Sequence, residues 1–432
     1  MVVPTSYPQP FLKKKINFLI TLAVIATTIF SKFNLNSWCI ILLVLCRLAD
    51  GGPLRAVKTA FSNKYFLAFL ALFLLDIAGM LFSHNRAAAE HVMEKSATLL
   101  AIAFVFCAGT FTDDAGYKQF MTFYCGLLFA ACLYCIWMAC RHYQLKQDIS
   151  VFFYHPLSQP IGQNAVFFSV YMIFGLLYLL SHPIQTGGLT PAIRRPLQFF
   201  LIAFFTGIII LLSSKLLLIV LFLILVSHIL QRYIARRNYA VIMLISVTGL
   251  SIVLWLVLAD NPIKRRYQDL ERGDLSLIKA NKFTPSTNFN GAQLRLLQWR
   301  YANEILYENH AWIFGVSSGD SQDLLNQKYK KAEVDTGIPN TKQKGFLDYN
   351  FHNQYIETTV KSGIVGLAVL LTVCWLLILI VRDRQTQESF FTILTLLLIL
   401  TVESFLTLQD GIFAFAFIPL MLLYSPRRKK NA

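Results

Sequence analysis

PLQFFLIAFFTGIIILLSSKLLLIVLFLILVSHILQ, residues 196–231, decides the fold class. The run is apolar for about 36 residues, too long for one helical crossing of a bilayer and slightly short for two, since a crossing takes about 20. Only Ser213-Ser214-Lys215 interrupts it. The reading is therefore two spans, 196–212 and 216–231, joined at the serine pair. Helices of roughly 16 residues rise only about 24 Å each, so Lys215 is expected below the bilayer surface, at the base of an outward-facing cavity. Two readings of that cation stand: a lysine snorkelling out of a tight hairpin, or a ligand for a phosphate.

The rest of the chain has the same character. Apolar residues make up 56% of it, Phe alone occurs 36 times, mean hydropathy is +0.55 and only 14% of residues are charged, against about 25% in soluble chains. The expectation is an all-α polytopic membrane protein with about twelve transmembrane helices, at 16–31, 35–50, 65–83, 97–112, 119–140, 163–181, 196–212, 216–231, 239–259, 361–381, 389–407 and 411–425. The organisation is then residues 1–259 with spans one to nine, a polar loop over 260–360, and residues 361–432 with three further spans and a basic tail. No internal repeat or low-complexity tract is visible.

Basic residues orient this layout. Lys13-Lys14-Lys15, Arg55, Lys58, Lys64, Arg194-Arg195, Arg232, Arg236, Arg237, Arg382, Arg384 and Arg427-Arg428-Lys429-Lys430 all fall on one side of a twelve-span bundle. The opposite short loops carry only Lys32, Arg86, Lys95, Arg141, Lys146 and Lys215. Both termini are therefore expected in the cytoplasm and the long loop outside. The net charge of +16 anchors the chain to anionic membrane lipid, and nucleic acid is not a partner. The basic N-terminal cluster and the apolar run behind it lack a small-residue cleavage site, and read as a retained first span. Cys132 and Cys135, without further ligands in an apolar helix, read as small buried hydrophobes and not as a zinc site.

A loop of about a hundred residues is too long for a passive connection. Within it, GAQLRLLQWRYANEILYE (291–308) places Leu294, Leu297, Tyr301, Ile305 and Leu306 at helical spacing, so an amphipathic helix beside the bundle is expected. The flanking segments 264–285 and 327–347, rich in Lys, Asn, Asp and Thr, read as mobile lobes. Arg295 and Arg300 ride on the amphipathic helix; five apart, they face different directions, and Arg295 is expected to face the site. Where the loop re-enters the membrane stands His352-Asn353, followed after nine residues by Gly363-Ile364-Val365-Gly366. A titratable side chain held at a membrane face is what chemistry on a lipid-linked substrate needs; otherwise His352 is a helix cap or interfacial residue. Asp76 and Glu403 lie inside spans, with structural pairing and a site role both open. Arg86, Arg141, His142 and His155 lie on the outer side, as interfacial anchors or as lining of a donor entry.

The His352-Asn353 pair, nine residues, then Gly363-x-x-Gly366 resembles the signature of the O-antigen ligase family of membrane glycosyltransferases. So does the layout, twelve spans with a large periplasmic loop after the ninth. Arg295-Leu-Leu-Gln-Trp299 is similar to that family's Arg-containing loop helix, and Trp312-Ile-Phe-Gly-Val316 to the Gly-rich turn behind it. Ser214-Lys215 stands where the family commonly has Ser-Arg. The resemblance, strongest over 200–380, implies a GT-C-like enzyme that transfers a glycan from undecaprenyl diphosphate to lipid A–core, with inversion at the anomeric carbon.

The residue types suit that reaction. Diphosphate is already a good leaving group, so the needs are cations for its developing charge and a base for the acceptor hydroxyl. His352 is the candidate base. Arg295 is catalytic and binds the donor diphosphate together with Lys215, Arg300 and Arg86, while Asn353, Gly363 and Gly366 support the site. No metal site and no cofactor is expected, because Arg and Lys do the work of a divalent ion. Alternatives that share the fold are a polymerase of O-antigen or capsular repeats and a protein O-oligosaccharyltransferase. From another class, a lipid-linked oligosaccharide flippase would show internal repeats that this chain lacks.

Overall fold

In a computed structural model, which describes residues 11–184, 190–231, 275–338 and 345–427, every regular element is helical. The helices are α1 (Phe11–Ile29), α2 (Phe33–Ala49), α3 (Pro53–Phe61), α4 (Lys64–Phe82), α5 (Arg86–Cys107), α6 (Asp114–Lys146), α7 (Tyr154–Ser158), α8 (Ala165–Ser181), α9 (Pro191–Leu212) and α10 (Lys215–Ile229). After them come α11 (Gly291–Glu308), α12 (Ser321–Lys331), α13 (Gln354–Arg384), α14 (Gln387–Ile399) and α15 (Gln409–Met421). Four of these, α4, α6, α9 and α13, are long and apolar enough to cross a membrane. The segment 154–161 with α8 makes a fifth if that pair, bent by 79°, is one span. Helices α1, α2, α10, α14 and α15 contribute shorter apolar stretches. The expected ninth span, 239–259, lies outside the described residues, as do Arg232, Arg236 and Arg237.

Two helices form the axis of the bundle. In α8 fifteen of seventeen residues are buried, and in α15 twelve of thirteen, so neither has a lipid-facing stripe and both must be wrapped by the others. Phe167 stacks on Phe405 and Phe413 on Phe417, at 4.8 and 4.4 Å between centroids. Cys132 and Cys135 are buried on α6 as expected of small hydrophobes, with the Cys132 sulfur 3.6 Å from that of Met172.

Three boundaries differ from the hydropathy reading, each for a local reason. Helix α5 starts at Arg86 and not near 97, because Asn85 caps it by accepting from the Ala88 amide at 3.1 Å. Its first turns carry Glu90, Glu94 and Lys95, which disguise a helix as a polar loop; Lys95 thereby sits on the third turn. Helix α9 starts at Pro191, so it is longer than the 16 residues expected, whereas α10, with fifteen, is as short as expected. Helix α13 starts at Gln354 and is broken at Gly363.

The lobe between α10 and α13 is ordered by its own small core. Leu297, Tyr301 and Ile305 of α11 meet Leu325 and Tyr329 of α12, Phe283 and Phe351. A capping box, in which Asn290 accepts from the Gln293 amide and the Gln293 side chain from the Asn290 amide, starts α11 where the apolar spacing begins. The described parts of the segments read as mobile contribute to this core: Phe283 is buried and donates its amide to the Ala332 carbonyl at 2.8 Å, and 327–331 completes α12. Aromatic and aliphatic residues spaced among the polar ones are what a composition average hides.

Candidate active site

Helix α10 lies against α14 with His228 near its far end 3.4 Å from Gln387 at the start of α14. The two therefore run antiparallel, which brings the Ser214–Lys215 end of α10 level with the end of α14 and the turn 400–407. Ser213, in the left-handed region at φ 42°, and Ser214 are both buried where the hairpin reverses.

Residues 350–354 are pinned onto that turn. Asn353 caps α13 by accepting from the Ile356 amide and donates to the Thr401 carbonyl, both at 3.1 Å. The Gln354 amide donates to Leu400, and its side chain accepts from the Leu406 amide at 2.7 Å. Trp299 of α11 donates to the Phe351 carbonyl at 3.0 Å. His352, gripped from both sides, has φ 46°, a left-handed conformation that costs a non-glycine residue on the order of 1–3 kcal/mol.

The side chain so aimed meets a carboxylate. His352 Nδ1 lies 3.2 Å from Glu403 Oε2, and Arg295 Nη2 donates to Glu403 Oε1 at 3.1 Å. Arg295 is fixed further by its Nε on the Val402 carbonyl and Nη1 on the Gly291 carbonyl, each at 3.1 Å. All three side chains are part-exposed, so the site is open to a ligand. With Nδ1 donating to Glu403, the imidazole presents Nε2 outward with its lone pair, the arrangement of a base oriented by an acid. The Tyr349 ring stands edge-on to the imidazole, at 6.0 Å between centroids.

Arg300 is not brought there. Five residues are 500° around a helix, and its guanidinium instead holds Glu304 at 2.7 Å, the carbonyls of Ile278 and Ala280 at 2.8 Å, and Asn281. Lys328 completes that network on Glu304 and Glu308, at 2.8 and 2.6 Å. Burial pushes the Glu304 carboxyl up, yet its hydrogen bonds to Lys328 and Arg300 hold it below its ordinary value. Arg86 stands exposed on the first turn of α5. Arg141 packs over the Trp137 ring at 5.5 Å, and His155 accepts from the Ala165 amide. Asp76 accepts from the Ser96 hydroxyl on the neighbouring helix.

The glycines build the scaffold. Gly363 has φ 66° and ψ −164°, a conformation reserved for glycine, and a Cβ there would lie 2.1 Å from the Ile313 carbonyl oxygen. The helix opens at this point, and residues 312–317 run through the opening. The Val316 and Ser317 amides donate to the carbonyls of Val360 and Lys361, while the Ile364 and Val365 amides donate to Trp312 and Ile313. Gly315, at φ 74°, makes the reciprocal approach, with a Cβ 2.4 Å from the Lys361 carbonyl. At Gly366 a Cβ would press on the Ser362 side chain at 2.4 Å.

A second contact fixes the lobe to the bundle. Asp320 accepts from the amides of His84 and Asn85, at 3.0 and 2.8 Å, and from the hydroxyls of Ser83 and Ser317. Burial raises the Asp320 carboxyl, but these hydrogen bonds, the backbone amides foremost, outweigh it and bring it to about 2. Among the described residues, no group of three or more His, Cys, Asp or Glu is placed to share a metal ion.

Glu403 is the residue that sequence reasoning left undecided, and it joins the two that it singled out. The signal was an acid in the apolar run LILTVESFLTL (398–408), indistinguishable there from Asp76. No curated protein matches the chain. Residues 199–371, which contain Lys215, Arg295, His352, Gly363 and Gly366, match the family described as O-antigen ligase, and that match supports kinship of this part of the chain with the O-antigen ligase family.

Proposed function

We propose that the protein transfers a glycan from undecaprenyl diphosphate to lipid A–core at the periplasmic face of the inner membrane. The observation that carries the reading is the Glu403 carboxylate held between His352 and Arg295 at the mouth of the bundle. Oriented by Glu403, His352 Nε2 takes the proton of the acceptor hydroxyl as its oxygen attacks the anomeric carbon. The bond from that carbon to the diphosphate oxygen breaks, and the leaving diphosphate carries the electron pair away. Arg295 and Lys215 neutralise its charge, so the transfer is metal-independent. Attack opposite the leaving group inverts the anomeric centre. Twelve spans, with residues 260–360 outside and both termini inside, give the substrates access to this end.

The test uses purified protein, a polyprenyl diphosphate glycan and an acceptor lipid. Transfer is expected to persist in excess EDTA; recovery only on adding Mg²⁺ or Mn²⁺ would overturn the clamp of cations. His352→Ala is expected to lower turnover on the order of 10²- to 10⁴-fold while donor binding stays near wild type. Arg295→Ala is expected to impair binding and turnover together, because a charge-assisted phosphate contact serves ground and transition states alike.

A further inference from the structure

A cavity of about 680 Å³ opens between the α4–α5 turn and the lobe, away from His352. Phe82, the last residue of α4, lines its membrane side, 81% exposed. His84, Asn85, Asn309, Asp320, Asp323 and Gln327 supply its polar wall, with the His84 ring 3.3 Å from Asp320. Its back is Gly315-Val316, the strap that runs through the break in α13. Asn309 ends α11 fourteen residues beyond Arg295, about 21 Å along the helix axis.

The chemistry of the wall selects a class of ligand. Lys and Arg are absent from it, and two carboxylates face a phosphate unfavourably, so it is not a second anion site. Planar amides and carboxylates offer paired donors and acceptors that match vicinal hydroxyls, and an exposed ring offers an apolar face. Much of this capacity is open: the Gln327 side chain makes no hydrogen bond among the described residues, and Asp323 is engaged through one oxygen, by the Asn85 side chain at 2.7 Å. Asp320, by contrast, is spent on the backbone of the α4–α5 turn and serves as wall.

We propose that this cavity is a carbohydrate subsite, which holds sugar residues of a substrate glycan remote from the bond being made, through Asp323, Gln327 and Asn309. The inference rests on the glycosyltransferase reading and extends it: binding energy from the remote sugars aligns the reacting end.

The probe is the lipid-free oligosaccharide released by mild acid from the polyprenyl-linked glycan pool of the producing cells. Its binding to full-length protein in nanodiscs is read by saturation-transfer NMR. Wild type and His352→Ala are expected to bind it alike, and inorganic pyrophosphate is expected not to compete. Gln327→Ala, which removes no internal hydrogen bond, and Asp323→Asn, which keeps an acceptor for Asn85, are each expected to weaken binding at least 5-fold. In transfer assays both are expected to raise KM for the glycan donor with kcat nearly unchanged. No saturation in wild type, equal binding by both variants, or displacement by pyrophosphate would overturn the subsite. Failure of the glycosyltransferase reading would appear separately, as absence of transfer by a wild-type protein that still binds the oligosaccharide.

Discussion

At the residue scale Glu403 holds two side chains at once, with its Oε2 3.2 Å from His352 Nδ1 and its Oε1 accepting from Arg295 Nη2 at 3.1 Å. Glu403→Gln keeps a hydrogen-bonding group of the same shape but removes the charge that compensates both partners. Turnover is expected to fall on the order of 10- to 10³-fold, with folding intact by size exclusion; wild-type rates would show that the carboxylate is only a strut. At Lys215 the expectation is graded. Lys215→Ala should lose donor use, whereas Lys215→Arg should match or exceed wild type, since a guanidinium fork suits diphosphate oxygens. Equal activity of both, measured as initial transfer rate, would mean that Lys215 merely snorkels.

At the scale of elements, the break in α13 and the latch at Asp320 hold the lobe against the bundle. Gly363→Ala forces a side chain into the Ile313 carbonyl and a backbone it cannot adopt, so a loss above about 3 kcal/mol is expected. The check is protein yield and melting in detergent, with Gly366→Ala, whose obstacle is a side chain, milder. Asp320 has a carboxyl depressed to about 2 by its hydrogen bonds. A depressed acid stabilises fully above its unfolded value near 4, and the contribution drains away as pH falls towards 2. Protection factors at 317–325, corrected for the intrinsic pH dependence of exchange, are therefore expected to be high at neutral pH and to fall below about pH 4, and to be low throughout in Asp320→Asn. These elements also show why hydropathy found helices but misjudged their ends. A window average sees the apolar length of α5 but not the Asn85 cap, and it sees a span beginning near 361 but not the seven residues of helix before it. Gly363 was singled out by its resemblance to a family motif, although the collision that demands a glycine there is with Ile313, 50 residues away; Glu403 lies 51 residues from His352, and no local pattern encodes that meeting.

For the whole molecule, the all-helical class was legible, because apolar content survives without coordinates; the resemblance singled out His352 and Arg295, and the carboxylate on which both converge was not foreseen. The packed lobe was not, since Phe283, Phe351 and Tyr329 are isolated aromatics in polar sequence and only their convergence makes a core. Orientation is testable at this scale. Protease added to spheroplasts is expected to cut between Lys330 and Lys344, while a tag after Lys430 stays protected; cleavage of the tag instead would invert the assignment of sides.

The open turn of α13 also bears on how the chain is made. Residues 312–317 leave the ribosome before 360–365, so the strap exists while the helix it will repair does not. When α13 enters the membrane, its freed carbonyls at 360 and 361 would be insoluble in lipid without those amides. Stable seating of this helix is therefore expected to depend on a finished lobe, whose strap amides satisfy the carbonyls at the break.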